Sequence, residues 1–176
     1  MGVSTGNGQL GSQVEVERLR RQVYSQDIRI ELGRLLERLN LPRSTPIEAV
    51  KTESLPKTTS LKVYLYTGGS VKVERAFRRE IEEWNTKDSQ RYGRLEIVGD
   101  LTQAELILAR YVEFASAVEA WPIRLAPGYS YLVLLKPDGL KVIYRFADLV
   151  SAYDDAPPRC LACERLFKLM KTGAKG

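Results

Sequence analysis

The segment from Leu61 to Phe146 constrains the fold most, because strand and helix patterns alternate along it. LKVYLY alternates apolar and polar residues as a half-buried strand does, and it runs into the glycine turn TGGS. The next stretch, VKVERAFRREIEEW, places Val73, Phe77, Ile81 and Trp84 on one helix face. Ser70 is a natural N-cap for that helix. This order of strand, turn and amphipathic helix predicts an α/β unit.

Further strand patterns complete the unit. LEIVGD predicts a second strand, and Leu106 to Ala109 form a continuous apolar run typical of a strand covered on both faces. YSYLVLLKPDGLKVIYRF predicts a hairpin, since Lys136 to Gly139 have the residues of a type I turn between β-prone runs. Residues 113–128 contain Trp-Pro and Pro-Gly pairs, which predict a long loop. A last helix is predicted from Pro158 to about Lys171.

The first third of the chain is organised differently. Residues 1–12 are rich in Gly, Ser and Gln and predict a disordered leader. Residues 13–40 carry an apolar helical stripe, which favours one amphipathic helix or two short ones lying on the domain. A dimerising coiled coil is the alternative, although the stripe is irregular for heptads. Residues 41–60 contain three prolines and predict a linker before an α/β domain at 61–172.

Charge and composition argue against several functions. The 176 residues include no histidine, which removes the commonest general base and imidazole metal ligand, and we therefore predict neither an enzyme nor a cofactor. The net charge of +5 is spread along the chain without a basic arm. No apolar run approaches the ~20 residues of a membrane span. We expect a periplasmic or secreted protein if an upstream signal was removed, and otherwise a cytoplasmic one.

Two short motifs are candidate sites. Gly68, Gly69 and Ser70 lie between a strand and a helix N-terminus, where amides and the helix dipole can bind an anion, although a plain turn with a serine cap is favoured. Cys160 and Cys163 have the spacing of a redox pair or of half a zinc site. The favoured interpretation makes them ordinary small apolar residues of the last helix.

Arg75, Arg78 and Arg79 carry the alternative of a nucleic-acid-binding protein, together with arginines of the N-terminal helix. They alternate with glutamates at pairing distance, so we favour a solvated helix face instead.

The segment from about Ser60 to Lys171 resembles small bacterial envelope domains. These are related to the N-terminal domain of the Tol–Pal β-propeller protein and to the curli-secretion lipoprotein. The resemblance is carried by the strand LKVYLY with its helix, by LEIVGD before the segment from Gln103 to Leu108, and by the KPDG hairpin before a terminal helix. It implies a protein-interaction or assembly domain without catalytic residues.

These observations together predict an α/β sandwich. We expect a mixed sheet of four to five strands, helices at 70–86 and 158–171 on one face, and an N-terminal helical extension. The predicted function is a non-catalytic interaction or assembly module of a bacterial envelope or multiprotein complex, which would contact its partner through a sheet edge, the hairpin and the N-terminal helix. The expected partner is another protein, and a homodimer through the N-terminal helix is an alternative. A thiol-redox or metal-linked regulator built on Cys160 and Cys163 is the second alternative function, after nucleic-acid binding.

Overall fold

The computed structural model describes residues 13–19, 28–38, 47–49, 55, 59–120, 123–136, 139–151 and 159–173. The leader expected at 1–12 and the two central residues of the hairpin turn lie outside these ranges.

The described residues form five α-helices, seven strands and two short 3-10 helices. In chain order the helices and strands are α1 (residues 13–19), α2 (Ile28–Arg38), β1 (Ile47–Ala49), β2 (Ser60–Tyr66), α3 (Val71–Lys87), α4 (Ser89–Tyr92), β3 (Arg94–Val98), β4 (Leu106–Val112), β5 (Val118–Ala120), β6 (Ile123–Lys136), β7 (Gly139–Ser151) and α5 (Leu161–Gly173). The 3-10 helices are Leu101–Gln103 and Phe114–Ser116.

All seven strands belong to one mixed sheet, with the order β1-β7-β6-β4-β2-β3 and with β5 paired to β6. β2 is parallel to both of its neighbours, β3 and β4, and β1 is parallel to β7. The pairs β4–β6, β5–β6 and β6–β7 are antiparallel. The predicted α/β class with a mixed sheet is therefore confirmed, although the sheet has more strands than the four to five expected.

Helices α3 and α5 cover one face of the sheet, as the sequence predicts. The apolar face of α3 buries Phe77, Ile81 and Trp84, and α5 buries Leu166 in the same cluster. The Trp84 ring stacks on Phe167 of α5, with 4.7 Å between the ring centroids. Each apolar side chain removed from water in this way stabilises the fold by about 1.5–3 kcal/mol.

Helices α1 and α2 cover the opposite face, so the N-terminal segment is part of the packed structure. Leu19, Leu35 and Leu36 share a buried cluster with Tyr129 and other residues of the central strands. Strand β4 is buried along nearly its whole length, because helices cover both of its faces. Amphipathic helices lying on the domain, rather than a free extension, account for the stripe seen in the sequence.

The expectation of a long loop at 113–128 is wrong. This range contains the 3-10 helix Phe114–Ser116, strand β5 and the first part of β6, including Pro127. The Pro127 carbonyl accepts a hydrogen bond from the Glu113 amide, 2.8 Å away. The nitrogen and the carbonyl of a strand residue point to the same side, so the Pro127 nitrogen also faces the end of β4. On that side β4 has already ended at Val112, and no ladder hydrogen bond is lost.

Part of the expected linker at 41–60 is also ordered into the sheet. Residues Ile47–Ala49 form β1 and pair in parallel with Leu140–Val142 of β7. A three-residue strand is too short to show a periodic pattern, so the proline and Ser/Thr content of the segment dominated the prediction.

Candidate functional site

A cleft opens where β2 and β4 end side by side. It has a volume of about 530 Å³ and is lined by Arg38 of α2, by residues 66–70 and Val73 around the glycine turn, and by Tyr111, Val112 and Phe114 at the end of β4. We call this the β2 cleft. Because β2 and β4 are parallel, their carboxyl ends meet at the same edge of the sheet. This edge is where open α/β sheets commonly bind ligands.

The glycine turn forms one wall of the β2 cleft. Gly68 and Gly69 both have positive φ, 59° and 81°, which side chains other than glycine rarely adopt. A Cβ atom added to Gly68 would lie 3.2 Å from Cβ of Tyr111. The turn is closed by a hydrogen bond of 3.1 Å from the Ser70 amide to the Thr67 carbonyl. The two glycines therefore allow the chain to turn tightly against β4.

Ser70 caps helix α3, as the sequence predicts. Its hydroxyl accepts a hydrogen bond from the Val73 amide at 3.3 Å, and its carbonyl accepts one from the Glu74 amide at 3.0 Å. The first turn of α3 consequently borders the cleft, with its N–H groups and the positive end of its dipole at the same place. The three residues proposed for anion binding, Gly68, Gly69 and Ser70, are thus brought together, and their binding of an anion remains a prediction.

Arg38 supplies a positive charge from the other side of the cleft. Its guanidinium carbon lies 4.2 Å from the centre of the Tyr111 ring, a cation–π contact. One of its nitrogens is 3.5 Å from Glu113 Oε1, and Arg34 is 3.1 Å from the same oxygen. Two arginines therefore share the carboxylate of Glu113 at the rim.

Aromatic rings complete the walls. Tyr66 and Tyr111 meet edge to face, with 6.2 Å between centroids. Burial raises the pKa of Tyr66 above its usual value of 10.0, and the nearby charge of Arg38 opposes this shift in part. Phe114 lines the cleft and is still 55% exposed, and Val71, next to Ser70, is 67% exposed.

The arginines proposed for nucleic-acid binding lie on the solvent face of α3. Arg75, Arg78 and Arg79 are exposed. Arg78 forms an ion pair of 2.8 Å with Glu74, and Arg79 lies 4.0 Å from Glu80. The positive charges are thus interleaved with negative ones, as expected for a solvated helix face. Nucleic-acid binding by these residues remains a prediction.

Cys160 and Cys163 are joined in a disulfide bond at the start of α5. The favoured interpretation of two unbonded apolar residues is therefore wrong, because the i, i+3 spacing at a helix start brings the sulfur atoms together. Both residues are almost fully buried, at 2% and 0% exposure. The Cys163 amide donates to Cys160 Sγ at 3.1 Å. A redox or metal role for this pair remains a prediction, and metal binding would first require reduction of the bond.

The sequence did not indicate Arg38, Tyr111 or Phe114 as members of one site. Arg38 and Tyr111 are far apart in the chain and meet only because α2 packs on the sheet. Phe114 lies in the segment interpreted as a loop. The one local signal near the site was the glycine turn.

Other site types can be checked over the described ranges. Within them, no three or more His, Cys, Asp or Glu side chains are grouped as metal ligands would be. The helices placed by the structure all lack the combined length and hydropathy that a membrane span requires.

Comparison with known proteins identifies no family, and the solved structures described below share little sequence with this chain. No protein-family model matches the sequence, and no curated protein matches it. A hypothetical protein from Chlamydia trachomatis is 10% identical with a TM-score of 0.31, covering 67% of this chain and 94% of that one. A Xanthomonas campestris protein of family DUF330 is 12% identical with a TM-score of 0.29, covering 74% and 91% respectively.

A third solved structure is the rare lipoprotein B from Shewanella oneidensis. It is 15% identical with a TM-score of 0.24, and the match covers 65% of this chain and 86% of that one. All three proteins are bacterial, and one is a lipoprotein. The finer resemblance to the Tol–Pal and curli-secretion proteins is not shown by them. TM-scores this low carry no functional argument.

Proposed function

We propose that this protein is a non-catalytic interaction or assembly module, and that it binds another protein through the β2 cleft. The observation that carries the proposal is the exposed apolar surface at the cleft. Among the described residues, the strongly exposed large hydrophobic side chains are Val14, Val71 and Phe114. Phe114 lines the β2 cleft beside the buried Tyr111, and Val71 directly follows Ser70, which also lines it. Such a patch beside a pocket is typical of a protein-binding surface.

A binding role is favoured over catalysis by the side chains at the cleft. The chain has no histidine, and the polar groups lining the β2 cleft are an arginine, hydroxyl groups and backbone amides. These groups bind and orient an acceptor, whereas general acid–base catalysis needs a group that titrates near neutral pH.

The disulfide supports placing the module in the bacterial envelope. Disulfides persist in oxidising compartments such as the periplasm and are rare in the cytosol. Cys160–Cys163 is such a bond, and it lies inside the core shared by α3, α5 and the sheet.

The edge strand β3 is a poorer contact surface than the sequence suggested. Asn85 of α3 donates to the Leu95 carbonyl at 2.7 Å and accepts from the Leu95 amide at 2.9 Å. These two bonds occupy the groups of Leu95 that a further strand would need. Strand addition by a partner is therefore blocked at Leu95, near the start of this edge.

The proposal can be tested by affinity capture from an extract of the source organism with three matched variants. Phe114→Asp and Val71→Asp place a charge at the cleft, while Val14→Asp places one at a residue of similar exposure on α1. We expect a partner to be retained by the wild-type protein and by Val14→Asp, and to be lost with the two cleft variants. Thermal unfolding should show that all of them are folded. Retention of the same partner by all four proteins would contradict the proposal.

A further inference from the structure

We infer that the β2 cleft recognises a carboxylate next to an aromatic side chain, as in an Asp-Phe or Glu-Phe segment of the partner protein. This inference rests on the proposed function and names the chemistry of the segment that would be bound. It follows from four features of the described residues: the charge at the rim, the placement of Arg38, the hydroxyl of Thr67 and the apolar walls.

Two arginines contribute positive charge at the rim within the described part of the chain. Arg34 and Arg38 both lie against Glu113, at 3.1 and 3.5 Å. Among the residues that the structure describes, these contacts bring two guanidinium groups to one carboxylate. A carboxylate brings one negative charge, so it matches the rim better than a phosphate monoester, which carries between one and two at neutral pH.

Arg38 is oriented so that its N–H groups can donate to a second partner. Stacking on Tyr111, 4.2 Å away, uses the flat face of the guanidinium, whereas hydrogen bonds leave from its edge. A guanidinium has five N–H donors in a rigid fork. Its contact with Glu113 at 3.5 Å is long for a hydrogen bond, so it does not use up the fork. Arg38 lines the cleft, whereas Arg34 does not.

Thr67 offers a further hydrogen-bonding group at the cleft. It lines the cleft and is only 7% exposed. Its hydroxyl makes no hydrogen bond with any other described residue, whereas its carbonyl is used by Ser70. A carboxylate oxygen in the cleft would accept from this hydroxyl while the first-turn amides of α3 face the same region.

The apolar walls define the second half of the segment. Tyr66, Val73 and the exposed Phe114 lie beside the polar groups. A volume of about 530 Å³ is within the range of small-ligand pockets and would hold a few side chains rather than a folded surface. An aromatic residue adjacent to the carboxylate would pack against Phe114 and Tyr66.

The test uses three short peptides of defined sequence, N-acetylated and C-amidated: Gly-Asp-Phe-Gly, Gly-Asn-Phe-Gly and Gly-Asp-Ala-Gly. Binding is followed by NMR shifts of the backbone amides from Thr67 to Val73 and of the Arg38 side chain. We expect the Asp-Phe peptide to shift these signals, and the other two to bind about tenfold more weakly. Arg38→Gln should weaken the Asp-Phe peptide by about tenfold, while Arg91→Gln, an exposed arginine on α4 beyond the other end of α3, should leave its affinity within about twofold.

Each other outcome overturns the inference. Equal binding of the Asp-Phe and Asn-Phe peptides would mean that the cleft recognises only the aromatic ring and not the carboxylate. Equal binding of the Asp-Phe and Asp-Ala peptides would mean that the cleft recognises only the carboxylate and not the aromatic ring. Shifts confined to other parts of the protein would place the site elsewhere. If no peptide binds but a captured partner still depends on Phe114, the inference fails while the proposed function stands.

Discussion

Arg110 on β4 and Asp148 on β7 form an ion pair across the intervening strand β6, with 2.9 Å between Arg110 Nη1 and Asp148 Oδ1. The same nitrogen donates to Ser130 Oγ of β6 at 3.1 Å. Arg110 is 7% exposed, so its charge depends on these partners. The pair ties three strands together on the face of the sheet that α3 and α5 cover elsewhere.

Replacing Asp148 should therefore lower the free energy of unfolding. Asp148→Asn leaves a buried guanidinium without its carboxylate, and we expect a loss of about 2 kcal/mol, measured by denaturant unfolding. Glu119→Gln is a matched control, since Glu119 pairs with Arg124 at 3.2 Å but is 72% exposed. The control should change stability by less than about 0.5 kcal/mol. Equal losses in the two variants would contradict a special role for the buried pair.

Gly128 should be sensitive to the smallest enlargement. A Cβ atom at this position would lie 2.5 Å from Asp148 Oδ1 and 2.9 Å from Arg110 Nη2. Gly128→Ala must push the ion pair apart, and we expect a loss of about 1–3 kcal/mol in unfolding free energy. In the Asp148→Ala background the clash with the carboxylate is absent, so the same change should cost clearly less. Additive losses in the double variant would show that the glycine acts independently of the pair.

Asn85 should protect the edge of the sheet as well as stabilise it. Asn85→Ala removes both of its bonds to the Leu95 backbone, and we expect about 1–3 kcal/mol lower stability. The exposed edge should also increase self-association, measured by light scattering at rising protein concentration. Thr86→Ala, on the same helix, loses only a bond to the Glu82 carbonyl and serves as the control. An unchanged scattering profile for Asn85→Ala would argue against edge protection.

The disulfide should stabilise the fold by a modest amount. Both cysteines of the chain are bonded, so intact mass should rise by about two units after treatment with a dithiol reductant. The closed loop is short, and reduction should lower the unfolding free energy by about 2 kcal/mol. Free thiols in the untreated protein would contradict the bond, as would identical unfolding curves with and without reductant.

Stability should fall at alkaline pH, partly through Tyr66. Burial raises the pKa of Tyr66 in the folded protein above the ordinary value of 10.0. The stability that the neutral Tyr66 contributes is fully present below the pKa of this tyrosine in the unfolded chain. It is lost as the pH rises through the pKa in the folded protein, because the tyrosine ionises first in the unfolded chain. Tyr66→Phe should therefore flatten the decline in unfolding free energy between about pH 9 and pH 11. A decline of the same slope in the variant would exclude this residue as a cause.

Local patterns in the sequence predicted the parts of the fold that depend on neighbours in the chain. The Ser70 cap, the apolar face of α3 and the β6–β7 hairpin all follow from residues a few positions apart. Strand β5 and the position of Pro127 were missed. Each depends on where another strand ends, and no local pattern contains that information.

The candidate site was predictable only in its glycine turn. The stacking of Arg38 on Tyr111 depends on a helix crossing a sheet that is built from much later residues. An arginine on an amphipathic helix looks like any solvated charge until its partner is known. The buried pair of Arg110 and Asp148 was missed for the same reason, since the residues are separated by an entire strand.

The covering of the second face by α1 and α2 also affects how the chain is made. Leu19, Leu35 and Leu36 leave the ribosome well before Tyr129 and Tyr131, against which their cluster is completed. During synthesis the apolar residues of α1 and α2 have no sheet to pack against until β6 and β7 have been made. Their contacts with the sheet then join residues that are about a hundred positions apart in the chain. Contacts of such long range form slowly. The nascent chain therefore has a period in which its first helices are open to chaperones and to other copies of themselves.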